Sequence, residues 1–220
     1  RATENRSTTP RSEVFADYIS SGWAEHPSVR PAQRVVAAHA ADRRARLSAL
    51  HEGRRLVIPA GPARVRSNDT DYLYRAHSAF LHLTGWGSDA VPGSVLVLEP
   101  RGGDEGGHDA TLYFRESAGR DTDEFYANPE IGEFWTGRRP SLAEVAAELD
   151  LGTGSLRDLL ADDLQARFAD AATLVIPGAD SQVANDLLTE RFPDESGATA
   201  RIVFHEPEGV ARHAEAIDAA

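Results

Sequence analysis

Cysteine, lysine and methionine are all missing from this 220-residue chain. Without cysteine there is no disulfide, no thiolate metal ligand and no thiol nucleophile. Such a composition suits the cytoplasm, the compartment we expect. All 23 basic residues are arginine, so a Schiff-base lysine and the phosphate-gripping lysine of a P-loop are excluded. No apolar run approaches the ~18 residues that a membrane helix needs. The polar N-terminus lacks the apolar segment of a secretion signal. Methionine is absent even at position 1, and the last helix that the pattern predicts, 206–219, ends without a capping signal. Both observations lead us to expect a piece of a longer polypeptide.

What is present is an ordinary globular composition, 41% apolar and 26% charged, with a net charge of −12. The charge is uneven. Residues 30–66 hold nine arginines against Asp42 and Glu52, while the remainder is strongly acidic. A basic stretch of this kind can signal nucleic acid. Here the arginines are spread around a predicted helix, and the overall negative charge repels a phosphate backbone. We therefore expect neither a nucleic-acid nor a membrane partner. A neighbouring subunit could use the same asymmetry, acidic face against basic helix.

Apolar residues Val14, Phe15, Tyr18 and Ile19 fall at helical spacing and predict a helix over 14–23. Two prolines make 26–31 a connector. Residues 32–50 place Val35, Val36, His39, Leu47 and Leu50 near one stripe, a helix closed by Gly53. Strands are predicted at 55–59, 79–84, 93–98 and 110–115. The last three, with a glycine-rich acidic loop at 102–109, read as an antiparallel meander. Beyond them helix and strand alternate: helices at 142–149, 156–169, 180–191 and 206–219, strands at 173–177 and 199–204. Ser141 with Glu144 three residues on is a capping box. The fold class is therefore α/β, a mixed sheet (antiparallel meander plus a parallel αβ part) flanked by helices. Residues 1–31 form an extension, partly disordered or helical, and residues 32–220 form one domain.

Catalytic signatures are scarce. The eight histidines make no His-Glu-x-x-His, and His205-Glu206 is followed by Pro207, which breaks a helix there. His77 and His82, five apart on a predicted strand, should face opposite sides. Gly85-Trp86-Gly87-Ser88-Asp89-Ala90 matches a dinucleotide-binding loop in letters only, because Pro92, Gly93 and a strand follow where a helix is required. No Gly-x-Ser-x-Gly elbow occurs. The paired carboxylates at Asp121/Asp123/Glu124 and Asp162/Asp163 have no histidine partner and read as solvated helix starts. Two clusters remain, Arg66 to Arg75 and Trp135 to Arg139, each mixing arginine with aromatic or acidic residues in a predicted loop. One reading is an arginine–aspartate network that holds a loop on the sheet. The other is a rim that touches a ligand.

Four stretches carry a resemblance. They are Arg-Leu-Val-Ile-Pro-Ala-Gly at 55–61, Arg66-Ser67 through Tyr72-x-Tyr74-Arg75 to Phe80 and Leu83-Thr84-Gly85, Val95-Leu96-Val97-Leu98, and Trp135 before Gly137-Arg138-Arg139. In these, from about 32 to 204, the chain resembles the N-terminal domain of aminopeptidase P, the Xaa-Pro aminopeptidase family. The acidic loop at 102–109 and residues 1–31 match none of the family's motifs.

The resemblance implies a creatinase/prolidase-type N-terminal domain over 32–220. It implies a parent that hydrolyses the bond between an N-terminal residue and proline. In that family two divalent metals, manganese, are held by two Asp, one His and two Glu of a C-terminal domain that this chain does not include. The chain alone should then be inactive, with no metal or cofactor of its own. Its implied roles are to shape the rim of the cleft and to support a homo-oligomer. Asp69 would face the free amino end of a proline-containing peptide, and Trp135 would wall the first side chain. Tyr74 and Arg75 complete the candidate site as rim or loop-positioning residues. Related domains accompany prolidases and creatinases, and a stand-alone, non-catalytic binding or oligomerisation module is the alternative.

Overall fold

The computed structural model describes residues 12–26, 30–67, 70–102, 106–161 and 172–176. All of them belong to the first of two compact units, which ends at Asp180. The elements predicted at 180–191, 199–204 and 206–219 lie outside the described residues, as does 162–169 of the helix predicted from 156.

Helix α1 (Glu13–Ser20) starts where the Ser12 hydroxyl accepts the Phe15 N–H. Helix α2 (Val35–Leu50) follows the connector. Its buried face is narrow, Ala37, Ala40, Arg44 and Ser48, so its small residues let it lie close to its neighbours. Strand β1 (Arg55–Pro59) leads to a small exposed hairpin, β2 (Val65–Ser67) and β3 (Thr70–Asp71). Helix α3 (Ser78–Thr84) comes next, then β4 (Val95–Pro100) and β5 (His108–Phe114). Two single-turn helices, α4 (Glu124–Ala127) and α5 (Glu133–Thr136), precede α6 (Leu142–Leu149). Strand β6 (Gly152–Ser155), α7 (Leu156–Ala161) and β7 (Thr173–Val175) complete the series.

The main sheet has the order β6-β5-β4-β1-β7. Strands β1, β4 and β5 pair antiparallel, and the outer strands β6 and β7 pair parallel to their neighbours. The mixed sheet is as expected, with one exchange. Residues 79–84 are not a strand but helix α3, and the antiparallel set is β1, β4 and β5. Short apolar runs are ambiguous between the two states. Here the burial of Phe80, Leu83 and Thr84 follows the helical i, i+3, i+4 spacing. His77 caps α3 and His82 lies in its last turn, so neither is on a strand. Strand β6 went unpredicted because Gly-Thr-Gly-Ser has no apolar alternation; it forms because β5 offers it an edge.

Leu56, Ile58, Leu96, Leu98, Leu112 and Phe114 join Phe80, Leu83 and Trp86 in one core, which α6 enters through Val145 and Leu149. Trp86 meets the Phe114 ring edge-on at 5.2 Å. Val57 and Val97 are also buried, so the central strands are covered on both faces. Arginines make the joints. Arg34 bridges Asp89 (2.7 Å) and Glu148, tying the entry of α2 to a turn and to α6. Burial opposes the Arg34 charge, but its bonds to these carboxylates hold its pKa above the ordinary value. Arg43 and Arg44 donate to the carbonyls of His82 and Leu83 at 3.1 and 2.8 Å. These are terminal carbonyls of α3, groups that a helix leaves unsatisfied. The expected capping box of α6 is present in both bonds.

Gly85 ends α3 in the left-handed region, φ 74°, and its N–H donates to Leu81 O. A Cβ there would lie 2.6 Å from Val36 Cγ1 on α2. Gly85→Ala therefore combines backbone strain with a clash at the α2–α3 contact. We expect a loss of about 2 kcal/mol or more, read as a lower urea midpoint with an unchanged slope. Gly22→Ala, at φ 77° in open space, should lose only about 1 kcal/mol.

Candidate functional site

The first cluster is built on the end of β1. Where that strand leaves the sheet, the Ala60 carbonyl accepts the His77 N–H at 2.9 Å, and the Gly61 carbonyl accepts the Gly93 N–H at 2.9 Å. The Tyr74 hydroxyl lies between the same two carbonyls, 3.1 and 3.0 Å away, and donates to them. The His77 ring presses on Gly61, so closely that a Cβ there would fall 2.4 Å from Nε2. A side chain at 61 would therefore displace the ring. Tyr74 is half-buried, and desolvation pushes its phenol up to about 12.

From this base the β2–β3 hairpin leaves the sheet with every described residue exposed. Val65 pairs with Asp71 and Ser67 with Thr70, with an irregularity between them. Asn68 and Asp69, between the two strands in sequence, lie outside the described residues. The hairpin is not apolar in sequence, yet its flanks carry Val65 at 74%, Tyr72 at 60% and Leu73 at 99% exposure. Arg75 is exposed and makes no hydrogen bond or ion pair to a described residue. Arg66 and Asp71 likewise form no ion pair among the described residues. The described residues of this cluster thus form no arginine–aspartate pair, Asp69 lying outside them, and the Tyr74 hydroxyl ties the foot of the hairpin to the end of β1.

The second cluster is half helix and half loop: Trp135 and Thr136 close α5, and Gly137, Arg138 and Arg139 follow without regular structure. Trp135 belongs to α5, and its indole N–H donates to Tyr126 O at 2.8 Å. Its ring stands 5.0 Å from Phe134 and 5.2 Å from Tyr126. Phe134 in turn meets Trp23 and Phe125 edge-on at 6.0 Å, and Phe15 meets Tyr126 at 5.1 Å. Residues 13–23 are thus stapled to α4 and α5 by aromatic contacts, which sequence spacing did not disclose. The only hint was the density of aromatic residues at 15–23, 125–126 and 134–135. Trp135 keeps 52% exposure at the edge of this group. Behind it Arg138 pairs with Glu144 at 2.5 Å. Arg139 donates to Glu130 O at 2.9 Å. Burial, with Arg115 nearby, pulls the Arg139 pKa down. No hydrogen bond, ion pair or ring contact joins Trp135 to Tyr74 or Arg75.

Neither cluster assembles a nucleophile with a base. Among the described residues no group of three or more His, Asp or Glu could hold a metal ion. No described helix is long and apolar enough to cross a membrane. The chemistry the described residues offer is that of contact: exposed Val65, Tyr72 and Leu73, the exposed Arg75 guanidinium and a half-exposed indole with its polar edge already engaged.

Residues 39–175 match the family described as "Aminopeptidase P, N-terminal domain". Xaa-Pro aminopeptidase 2 of Streptomyces coelicolor is 40% identical over 178 residues, 80% of this chain and 36% of that protein. Xaa-Pro aminopeptidase 1 of the same organism is 36% identical over 195 residues, 89% of this chain and 38% of that protein. The chain thus spans little more than a third of the curated relatives it matches. A single-residue variant of Escherichia coli aminopeptidase P superposes with a TM-score of 0.50 at 21% identity, over 72% of this chain and 32% of that one. That likeness concerns the fold.

The raised Tyr74 pKa has a measurable consequence. The unfolded phenol ionises near 10 and the folded one near 12, so the folded state binds the extra proton between them. Stability is complete below pH 10 and falls as pH rises towards 12. Tyr74→Phe should abolish this alkaline loss and cost about 1 kcal/mol at neutral pH for the missing hydroxyl bonds. Urea unfolding of both proteins across the alkaline range, alongside phenolate absorbance, checks it.

Proposed function

The chain belongs to the aminopeptidase P N-terminal domain family, and from that premise we propose that it is the accessory part of an enzyme that hydrolyses Xaa-Pro bonds at peptide N-termini. The names of the relatives favour this parent over a prolidase or a creatinase. The chemical step belongs to two manganese ions held outside this chain, which would activate water; by itself the chain is inactive. We place the enzyme in the cytoplasm, as a homo-oligomer.

The exposed hairpin carries the reading. Solvent-facing Val65, Tyr72 and Leu73, on an arm anchored by Tyr74, suit contact with a second surface, since apolar groups gain by leaving water. That surface is the cleft mouth of another subunit. There Asp69 faces the substrate's ammonium group, and Arg75 lies at the foot of the same arm. Trp135, its indole N–H spent on Tyr126, offers ring and not polar edge as a wall for the first side chain.

In the longer parent, Asp69→Ala and Trp135→Ala should each raise KM for an Xaa-Pro peptide about five- to tenfold, equivalent to about 1–1.4 kcal/mol. Leu73→Asp should shift the oligomer towards smaller species in sedimentation velocity. Unchanged kinetics in both rim variants, with an unchanged oligomer in the third, would refute the rim assignment. A parent with no manganese-dependent release of residues preceding proline would refute the activity.

A further inference from the structure

Between α2 and the starts of β5 and β6 lies a cleft of about 460 Å3, remote in sequence from the hairpin and from Trp135. That is within the ~300–1,000 Å3 of small-molecule sites. Its lining includes Arg44, Ser48, Glu52, Arg101, His108 and Asp150. We propose that this cleft binds a free α-amino acid as a zwitterion, its carboxylate on Arg44 and its ammonium group towards Asp150 and Glu52. The inference does not depend on the peptidase reading.

Arg44 is the reason to expect a ligand. It is only 8% exposed, yet no carboxylate lies within ion-pair distance of it among the described residues. Its bond is to the Leu83 carbonyl through Nη1, whereas a guanidinium carries five N–H donors in a fork that fits a carboxylate. Burial lowers its pKa, and Asp150 opposes that from beyond contact distance. A buried cation is ordinarily matched by a close anion. No described residue supplies one within ion-pair distance, and the cleft leaves room for it.

The remaining lining selects among anions. Arg44 and Arg101 stand against Glu52 and Asp150, and Arg101 is engaged by Asp109 at 2.8 Å. A phosphate would therefore meet two carboxylates, whereas a zwitterion finds a partner for each end. The wall is held firmly. His108 Nε2–H donates to Arg54 O, and Nδ1 shares a hydrogen bond with the Ser48 hydroxyl, both at 2.6 Å. Asp150 adopts φ 51°, the one positive φ outside glycine among the described residues, and at the end of α6 this directs the chain into β6 beside the cleft.

Isothermal titration and thermal melting of the 220-residue chain test the proposal, with L-leucine, acetate, phosphate and leucinamide as probes at equal ionic strength. L-leucine at about 10 mM should raise the melting temperature, and acetate, phosphate and leucinamide should do so far less. Arg44→Gln should weaken leucine binding about tenfold or more. Because Arg44 also caps α3, Asp150→Asn is the second variant, since Asn tolerates the same backbone; it should weaken leucine binding while sparing acetate. No leucine binding to wild type leaves Arg44 as a helix cap and overturns the proposal. So does binding that Asp150→Asn does not change, or phosphate binding as tight as leucine.

Discussion

Two adjacent carbonyls, those of Ala60 and Gly61, set the base of the β2–β3 hairpin. They follow the central strand β1 directly and receive three donors from distant parts of the chain: the His77 and Gly93 backbone N–H groups and the Tyr74 hydroxyl. An orphaned carbonyl at a strand end is unfavourable when buried, so the bonds are needed whatever surrounds them. Because Tyr74 and His77 follow the hairpin closely, their bonds to the end of the sheet also fix where the arm departs. Gly61 lets the His77 ring close over this joint. An arm whose described residues are exposed is thus set on a half-buried, hydrogen-bonded base, as a contact residue requires.

Arginine takes the part that several residue types divide elsewhere. With no lysine in the chain, the planar fork reaches carboxylates and carbonyls alike. Arg34 joins α2 to α6, Arg43 and Arg44 close α3, Arg120 reaches Trp23 O, and Arg139 reaches Glu130 O. Within the basic stretch 30–66, which in isolation could suggest nucleic acid, Arg34 and Arg55 pair with carboxylates and Arg43 and Arg44 with carbonyls. Arg44 differs from the rest in being buried with most of its donors uncommitted, which is why it points to a ligand and the others do not.

Aromatic packing supplies the second organising contact. Phe15 and Trp23 reach α4 and α5 through edge-on ring contacts, a geometry worth about 0.5–1.5 kcal/mol per pair beyond area. Single-turn helices such as α4 and α5 have no stability of their own. Their persistence, and with it the placement of Trp135, rests on this cluster. A change in residues 13–23 would therefore reach Trp135 without touching it.

Local patterns were legible wherever the decision is made by near neighbours. The capping box at Ser141 and Glu144, the apolar runs of β1, β4 and β5, and the family motifs around Tyr74 and Trp135 could all be read from the residues alone. Each depends on backbone groups or side chains a few positions apart. Residues 79–84 could not be read, since six apolar-rich residues fit strand or helix until Phe80, Leu83 and Thr84 meet the core together. Strand β6 exists only because β5 presents an open edge. The half-exposure of Trp135 and the lack of a carboxylate within ion-pair distance of Arg44 among the described residues were likewise decided by long-range packing. Which face a side chain buries, and which partner it fails to find, is a property of distant segments brought together, and no spacing along the chain encodes it.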